Sequence, residues 1–183
     1  MATAETVLKP DFGSKRKHFI FEEHHDRLRE SIRSFVEKEL TPHADEWEET
    51  TFPDSVIRRM GELGFLGLSM PQQYGGQGGD YFCNLVLAEE MGRSNSGGLT
   101  MGVAVHTDMA MPPIHLFGSE EQKQEWLVPA IKGEKILCLG ITEPDAGSDV
   151  AGIKTRAVRD TRSGTGGDDF VIVSPGAMVR ATW

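Results

Sequence analysis

Residues 97–117 read GGLTMGVAVHTDMAMPPIHLF, a run that is apolar on nearly every side of a helix. A helix without a polar face belongs in the middle of a bundle rather than on its surface, so it calls for further helices around it. The flanking sequence supplies them. From Glu22 to Leu40 the positions Leu28, Ile32, Phe35, Val36 and Leu40 recur at helical spacing, and Pro42 is predicted to stop that helix. Pro53 suits the first helical position of PDSVIRRMGELG, which carries Val56, Ile57, Met60 and Leu63 on one side and Gly64 near its end. Asp80 is a predicted N-cap for YFCNLVLAEEMGR. Ser119 and Gln122 form an S-x-x-Q capping box for EEQKQEWLVPAIKG, in which Pro129 is expected to kink or break the helix and Gly133 to end it. Five helices with short connections make residues 22–133 an all-α unit, preceded by a loose arm over 1–21.

After Lys135 the period changes. KILCLGIT has the length and apolar content of a strand, GIKTRAVRD alternates, TRSGTGGD is a turn-rich spacer and DFVIV reads as a third strand. The boundary falls near residue 134, and 134–173 is the start of a β-domain that lacks cover for its edges. The remaining SPGAMVRATW, 174–183, is expected to add neither a good fourth strand nor a useful helix. The fold class is therefore mainly α: an N-terminal helical bundle followed by a truncated antiparallel β segment, an incomplete β-domain.

Several functions are excluded early. A net charge of −9 argues against electrostatic binding to a nucleic-acid backbone, although a small donor-rich pocket for a polyanion is compatible with it. No apolar run reaches the roughly 20 residues that cross a bilayer, so no membrane insertion is expected. The N-terminus has no signal-peptide core, and Glu5 and Asp11 suit an organellar transit peptide poorly, so a cytoplasmic protein is expected. Cys83 and Cys138 each sit in an apolar run and read as buried, reduced thiols. PQQYGGQGGD at 71–80 lacks both GxGxxG spacing and the P-loop Lys, which leaves a surface connection. No metal site is predicted: His24, His25, His43, His106 and His115 show no HExxH-like spacing, and Glu143, Asp145 and Asp149 match no EF-hand. His106 reads as a core histidine, and Glu89 and Glu90 as a solvated or salt-bridged helix face.

The segment LGITEPDAGSDVAGIKT, 139–155, remains to be explained. Pro144 forbids a helical continuation, and Gly147 permits either close backbone approach or a positive φ. Hydroxyls at Thr142 and Ser148 join backbone N–H groups around one concave spot that suits phosphate or carbonyl oxygens. A plain capped surface turn explains the same residues equally well.

Together with SIRSFVEKELTPHADEWE, GELGFLGLSMPQQYGGQGGD, LAEEMGRSNSG and FGSEEQKQEWLVPAIKGE, this segment resembles the acyl-CoA dehydrogenase family over residues 22–172. The resemblance implies an FAD-dependent oxidoreductase of fatty-acid β-oxidation type, converting an acyl-CoA to the trans-2-enoyl-CoA. A glutamate takes the α proton, the β hydride goes to the flavin, and electrons leave to an electron-transfer flavoprotein from a homotetramer. Carried onto this sequence, Leu139, Gly140, Ile141 and Thr142 lie along the flavin, with the Thr142 hydroxyl and the Ile141–Thr142 backbone at its pyrimidine edge. Gly147 and Ser148 meet the pyrophosphate, Ser148 also nears the CoA thioester arm, Asp149 caps the turn and Glu143 stabilises it. The pattern fails from Val173 onward, and the family's catalytic glutamate lies in a C-terminal domain not seen in this sequence. A fragment inactive by itself is therefore expected. A non-catalytic acyl-CoA- or partner-binding helical module, or an acyl-CoA oxidase or flavin monooxygenase on the same scaffold, are the alternatives.

Overall fold

A computed structural model describes residues 18–159, 170–174 and 177–181. The expected spacer at 161–168 and all of the arm before residue 18 lie outside these residues. The chain divides into two compact units between Cys138 and Leu139.

In the first unit, α1 (Glu23–Phe35) runs through a π turn (Val36–Leu40) and a 3-10 turn (Thr41–His43) into α2 (Ala44–Glu49). Next come α3 (Asp54–Glu62), α4 (Tyr81–Met91) and α5 (Gly97–Ala104), then a π turn (Val105–Ala110) leading into α6 (Met111–Phe117). The last run is α7 (Glu120–Gln122), a π turn (Lys123–Leu127) and α8 (Val128–Ile131). Asp80 caps α4 by accepting the Cys83 N–H, and both halves of the Ser119–Gln122 capping box form. Pro53 stands one residue earlier than expected, outside the helix in extended conformation, and α3 begins at Asp54.

The prolines do not stop their helices. Each of the three π turns ends two residues before a proline: Leu40 before Pro42, Ala110 before Pro112 and Leu127 before Pro129. In each case the intervening N–H reaches five residues back, Thr41 to Val36, Met111 to His106 and Val128 to Lys123. Proline clashes with the carbonyl four residues before it and cannot bond to it, so a widened turn relieves the clash while the helix continues. At Pro129 the freed Glu125 carbonyl accepts the Lys135 ammonium at 3.0 Å instead. The expected break at Pro42 is thus a short change of pitch, and the expected kink at Pro129 is absorbed just before it.

The core of this unit joins Ile32 and Val36 of the first run to Met60, Val86, Met111, Leu127 and Ala130, all fully buried. Each large apolar side chain so buried contributes about 1.5–3 kcal/mol against its exposed state. α1 packs along α4. The central run 97–117 differs from its expected place. Leu99, Val103, His106, Ala110 and Met111 are buried, but Met101, Leu116 and Phe117 are 61%, 67% and 85% exposed. The described neighbours cover one side of it only.

In the second unit, β1 (Arg156–Arg159), β2 (Phe170–Ser174) and β3 (Ala177–Ala181) form an antiparallel sheet in that order, with Val158 opposite Val171 and Ile172 opposite Val179. Three expectations are corrected here. The predicted strand over 135–142 is irregular and pairs with no described strand. The tail residues Ala177–Ala181, expected to add nothing, supply that strand through the β-competent pair Met178 and Val179. With no ladder to enclose 135–142, Cys138 is exposed rather than buried, whereas Cys83 lies in the core. No helix among the described residues is long and apolar enough to cross a membrane.

Candidate functional site

The 139–155 segment builds its turn from one carboxylate. Glu143 and Ala146 form an isolated antiparallel bridge, each N–H bonding the other's carbonyl at 3.0 and 3.2 Å. Pro144 occupies the second position of this β-turn, where its fixed φ is favourable. The Glu143 side chain is buried and accepts the Lys154 N–H at 2.9 Å and the Thr155 N–H at 2.6 Å. The Thr155 and Lys154 donors hold its pKa below the usual carboxylate range. Glu143 therefore stabilises the turn as its position suggested.

Asp149 does not cap with its side chain. Its backbone carbonyl accepts the Gly152 N–H, opening a 3-10 turn at Val150–Gly152. Closure of the turn rests on the longer glutamate, which spans to residues 154 and 155. Gly147 is not at positive φ, which removes one of the two reasons proposed for it. The other reason remains open, since a Cβ at Gly147 or at Gly140 would meet no atom within 4 Å.

The bridge folds the segment back on itself, so Thr142 and Gly147 flank the Glu143–Ala146 pair. Leu139, Gly140, Ile141, Thr142, Gly147 and Ser148 are all exposed. None of their backbone N–H groups bonds another described residue. Among the described residues, two hydroxyls and a row of amides thus have no partner around a turn bridged by Glu143 and Ala146. That arrangement can receive an oxygen-rich ligand without breaking any bond of its own.

Two groupings have partners that the sequence reading did not name, because they join distant positions. His24, His25, Asp80 and Cys83 offer ligand-type atoms within 4.8 Å of one another. His25 Nδ1 accepts the Glu22 N–H at 2.9 Å, so the ring proton resides on Nε2 and goes to Asp80 Oδ1, also 2.9 Å away. The His25 hydrogen bond pulls the Asp80 pKa down. A cation at Nε2 would displace that proton and leave Nδ1 facing an N–H, so the grouping is wired as a cap joining the starts of α1 and α4.

The second grouping is Glu90, which is buried and accepts from Arg29 Nη1 at 3.0 Å, Arg33 Nε at 2.9 Å and Arg33 Nη2 at 2.8 Å. Glu89 pairs with Arg29 at 2.6 Å. Of the two expected faces the salt-bridged one is realised, and at Glu90 it lies inside the protein. A carboxylate one turn after Val86 and Leu87 on an apolar helix was the available signal.

Comparison with known proteins gives a consistent result. Residues 22–134 match the family model described as acyl-CoA dehydrogenase, N-terminal domain. The chain is 40% identical over 147 residues to "Probable acyl-CoA dehydrogenase YngJ" of Bacillus subtilis (strain 168), covering 79% of this chain and 37% of that protein. A crystal structure of an acyl-CoA dehydrogenase from Geobacillus kaustophilus superposes with a TM-score of 0.76 at 37% identity, over 85% of this chain and 39% of that one. An acyl-CoA dehydrogenase from Bacillus anthracis, complexed with FAD, gives a TM-score of 0.75 at 32% identity, over 84% of this chain and 25% of that one. The chain spans less than half the length of each of these proteins.

Proposed function

The chain belongs to the acyl-CoA dehydrogenase family, and we propose that residues 139–148 are the FAD-holding part of a flavin-dependent acyl-CoA dehydrogenation site. The observation that carries this is the unspent donor set around the Glu143 turn. A dinucleotide presents a pyrophosphate and ring carbonyls, which are acceptors only, and the segment offers N–H and O–H groups to meet them. The open space over Gly140 and Gly147 allows close approach of such a ligand. The residues present fit the group.

In this reading the Ile141 and Thr142 backbone and the Thr142 hydroxyl hold the pyrimidine edge of the flavin, with Leu139 and Gly140 lying along it. Gly147 and Ser148 hold the pyrophosphate, and the Ser148 hydroxyl also orients the thioester arm of an acyl-CoA. When bound, FAD supplies the two-electron oxidation that turns an acyl-CoA into a trans-2-enoyl-CoA. The complete protein is a homotetramer that passes its electrons to an electron-transfer flavoprotein. Glu89 and Glu90 are engaged by arginines and Glu143 by backbone amides, so none of them serves as the base for the α proton. This chain by itself is a cofactor-holding piece without turnover.

Titration of the chain with FAD, followed by flavin fluorescence, tests the reading. Saturable binding weakened about tenfold in Thr142→Ala and Ser148→Ala is the expected result, from loss of about one hydrogen bond each. Absence of saturable binding overturns it, and acyl-CoA binding without flavin binding points to a non-catalytic acyl-CoA module. Dye reduction on adding butyryl-CoA to the FAD-loaded chain would show that a base is present after all.

A further inference from the structure

The proposal concerns how the flavin-binding segment is anchored. From Cys138 to Thr142 no backbone group bonds another described residue. Between Lys135, whose N–H goes to Pro129, and Glu143, whose N–H goes to Ala146, one amide is held by a described residue: Leu137 donates to His106 Nδ1 at 3.0 Å. Its side chain also packs against the core. Two residues further on, the segment 139–148 begins, within about 7 Å of extended chain.

His106 suits this task for reasons of chemistry. It is fully buried in the π turn Val105–Ala110, and its Nε2 lies 3.1 Å from the Ala130 carbonyl. An amide N–H only donates and a carbonyl only accepts, so the ring is neutral with its proton on Nε2. Burial lowers its pKa, which keeps it in that form. With both nitrogens spent and no exposure, it cannot act as an acid or base on a substrate. A single side chain thereby ties the central helical run to the end of α8 and to the outgoing chain.

We propose that His106 is a positioning residue for the flavin-binding segment, fixing the chain at Leu137 so that residues 139–142 start from a defined point. The proposal rests on the flavin reading above for its consequence, and on the His106–Leu137 bond for its cause. Two variants separate them. His106→Asn keeps an acceptor near the place of Nδ1 and loses the Ala130 bond. His106→Gln keeps a donor near the place of Nε2 and loses the Leu137 bond. Each variant removes one of the two bonds of the buried ring, so a purely structural role predicts loosening in both.

Amide hydrogen exchange of the ligand-free chain and FAD titration are the two measurements. In His106→Gln, exchange at Leu137 rises about tenfold and FAD binding weakens about tenfold, the loss of one hydrogen bond. In His106→Asn, both stay within about twofold of the parent while the thermal midpoint falls as in the Gln variant. Equal loosening in both variants, or loosening in neither, overturns the proposal. In the unsubstituted chain, ring-nitrogen NMR shifts report an Nε2–H tautomer, and an Nδ1–H tautomer overturns it without any variant. The exchange pattern without FAD uptake by the parent overturns the flavin reading and upholds the anchor at Leu137.

Discussion

Glu90 in the helical unit and Glu143 in the turn unit are both withdrawn from water and both sit below the ordinary carboxylate range, by opposite means. At Glu90 burial alone would raise the pKa, and the Arg33 and Arg29 hydrogen bonds and charges outweigh it. Those arginines lie on α1, 57 and 61 residues away along the chain. At Glu143 the donors are backbone amides 11 and 12 residues on. One carboxylate fastens two distant helices together. The other shapes only its own loop, whose remaining donors bond no other described residue. The same residue type serves packing in one unit and presentation in the other.

The sharpest way to break the comparison is at Glu90. Glu90→Gln leaves Arg29 and Arg33 against a neutral amide, and we expect a loss of about 2–4 kcal/mol in urea unfolding, below the full cost of a buried pair because both arginines are partly exposed. A loss under about 0.5 kcal/mol would mean the cluster fastens nothing. Second in size is Gly61→Ala on α3, where a Cβ would lie 2.1 Å from the Lys132 carbonyl oxygen. Overpacking against backbone costs about 1–3 kcal/mol, read as a lowered thermal midpoint; an unchanged midpoint would show that α3 and the end of α8 are not closely packed.

Acid should remove the contributions of these buried groups in order. His106 has a lowered pKa, so the unfolded chain takes up its proton first. Its contribution is complete above an unfolded value of about 6.5 and declines as pH falls below it. Glu90 and Glu143 also have lowered values, so theirs are complete above about 4.3 and are lost as pH falls further. Urea unfolding across pH should therefore show an upper stage that disappears in His106→Asn and a lower stage that remains. A single stage near pH 4 in the parent chain would remove His106 from the account. The smallest expected effect on stability is Gly147→Ala, within about 0.5 kcal/mol, because the site is open. Flavin titration of that variant should nonetheless weaken several-fold, and equal affinity would mean that no ligand backbone or phosphate approaches there.

Local chemistry was largely legible. The Asp80 cap and the Ser119–Gln122 box depend on residues three positions apart, and the stabilising role of Glu143 on amides 11 and 12 residues on within its own loop. The prolines misled because proline chemistry excludes an ordinary helical turn, and the sequence does not say whether a chain answers by stopping or by widening. The strand predicted over 135–142 failed for a related reason: apolar content permits a strand, but a strand exists only where a partner edge is supplied, and no described strand pairs with this segment.

What the sequence by itself determined is the family resemblance, carried by its ordered blocks, and the succession of helices followed by strands and the turn built on Glu-Pro-Asp-Ala, which follow from periodicity, caps and turn chemistry. What only the tertiary structure decided is which atoms remain unspent. It placed Glu90 between two arginines, gave both nitrogens of His106 to backbone, and left one side of the central run and the amides of Thr142 and Gly147 without a partner among the described residues. Hydrogen-bond partners that are 24 to 61 residues apart cannot be read from spacing, because they depend on how packed helices bring separate stretches together.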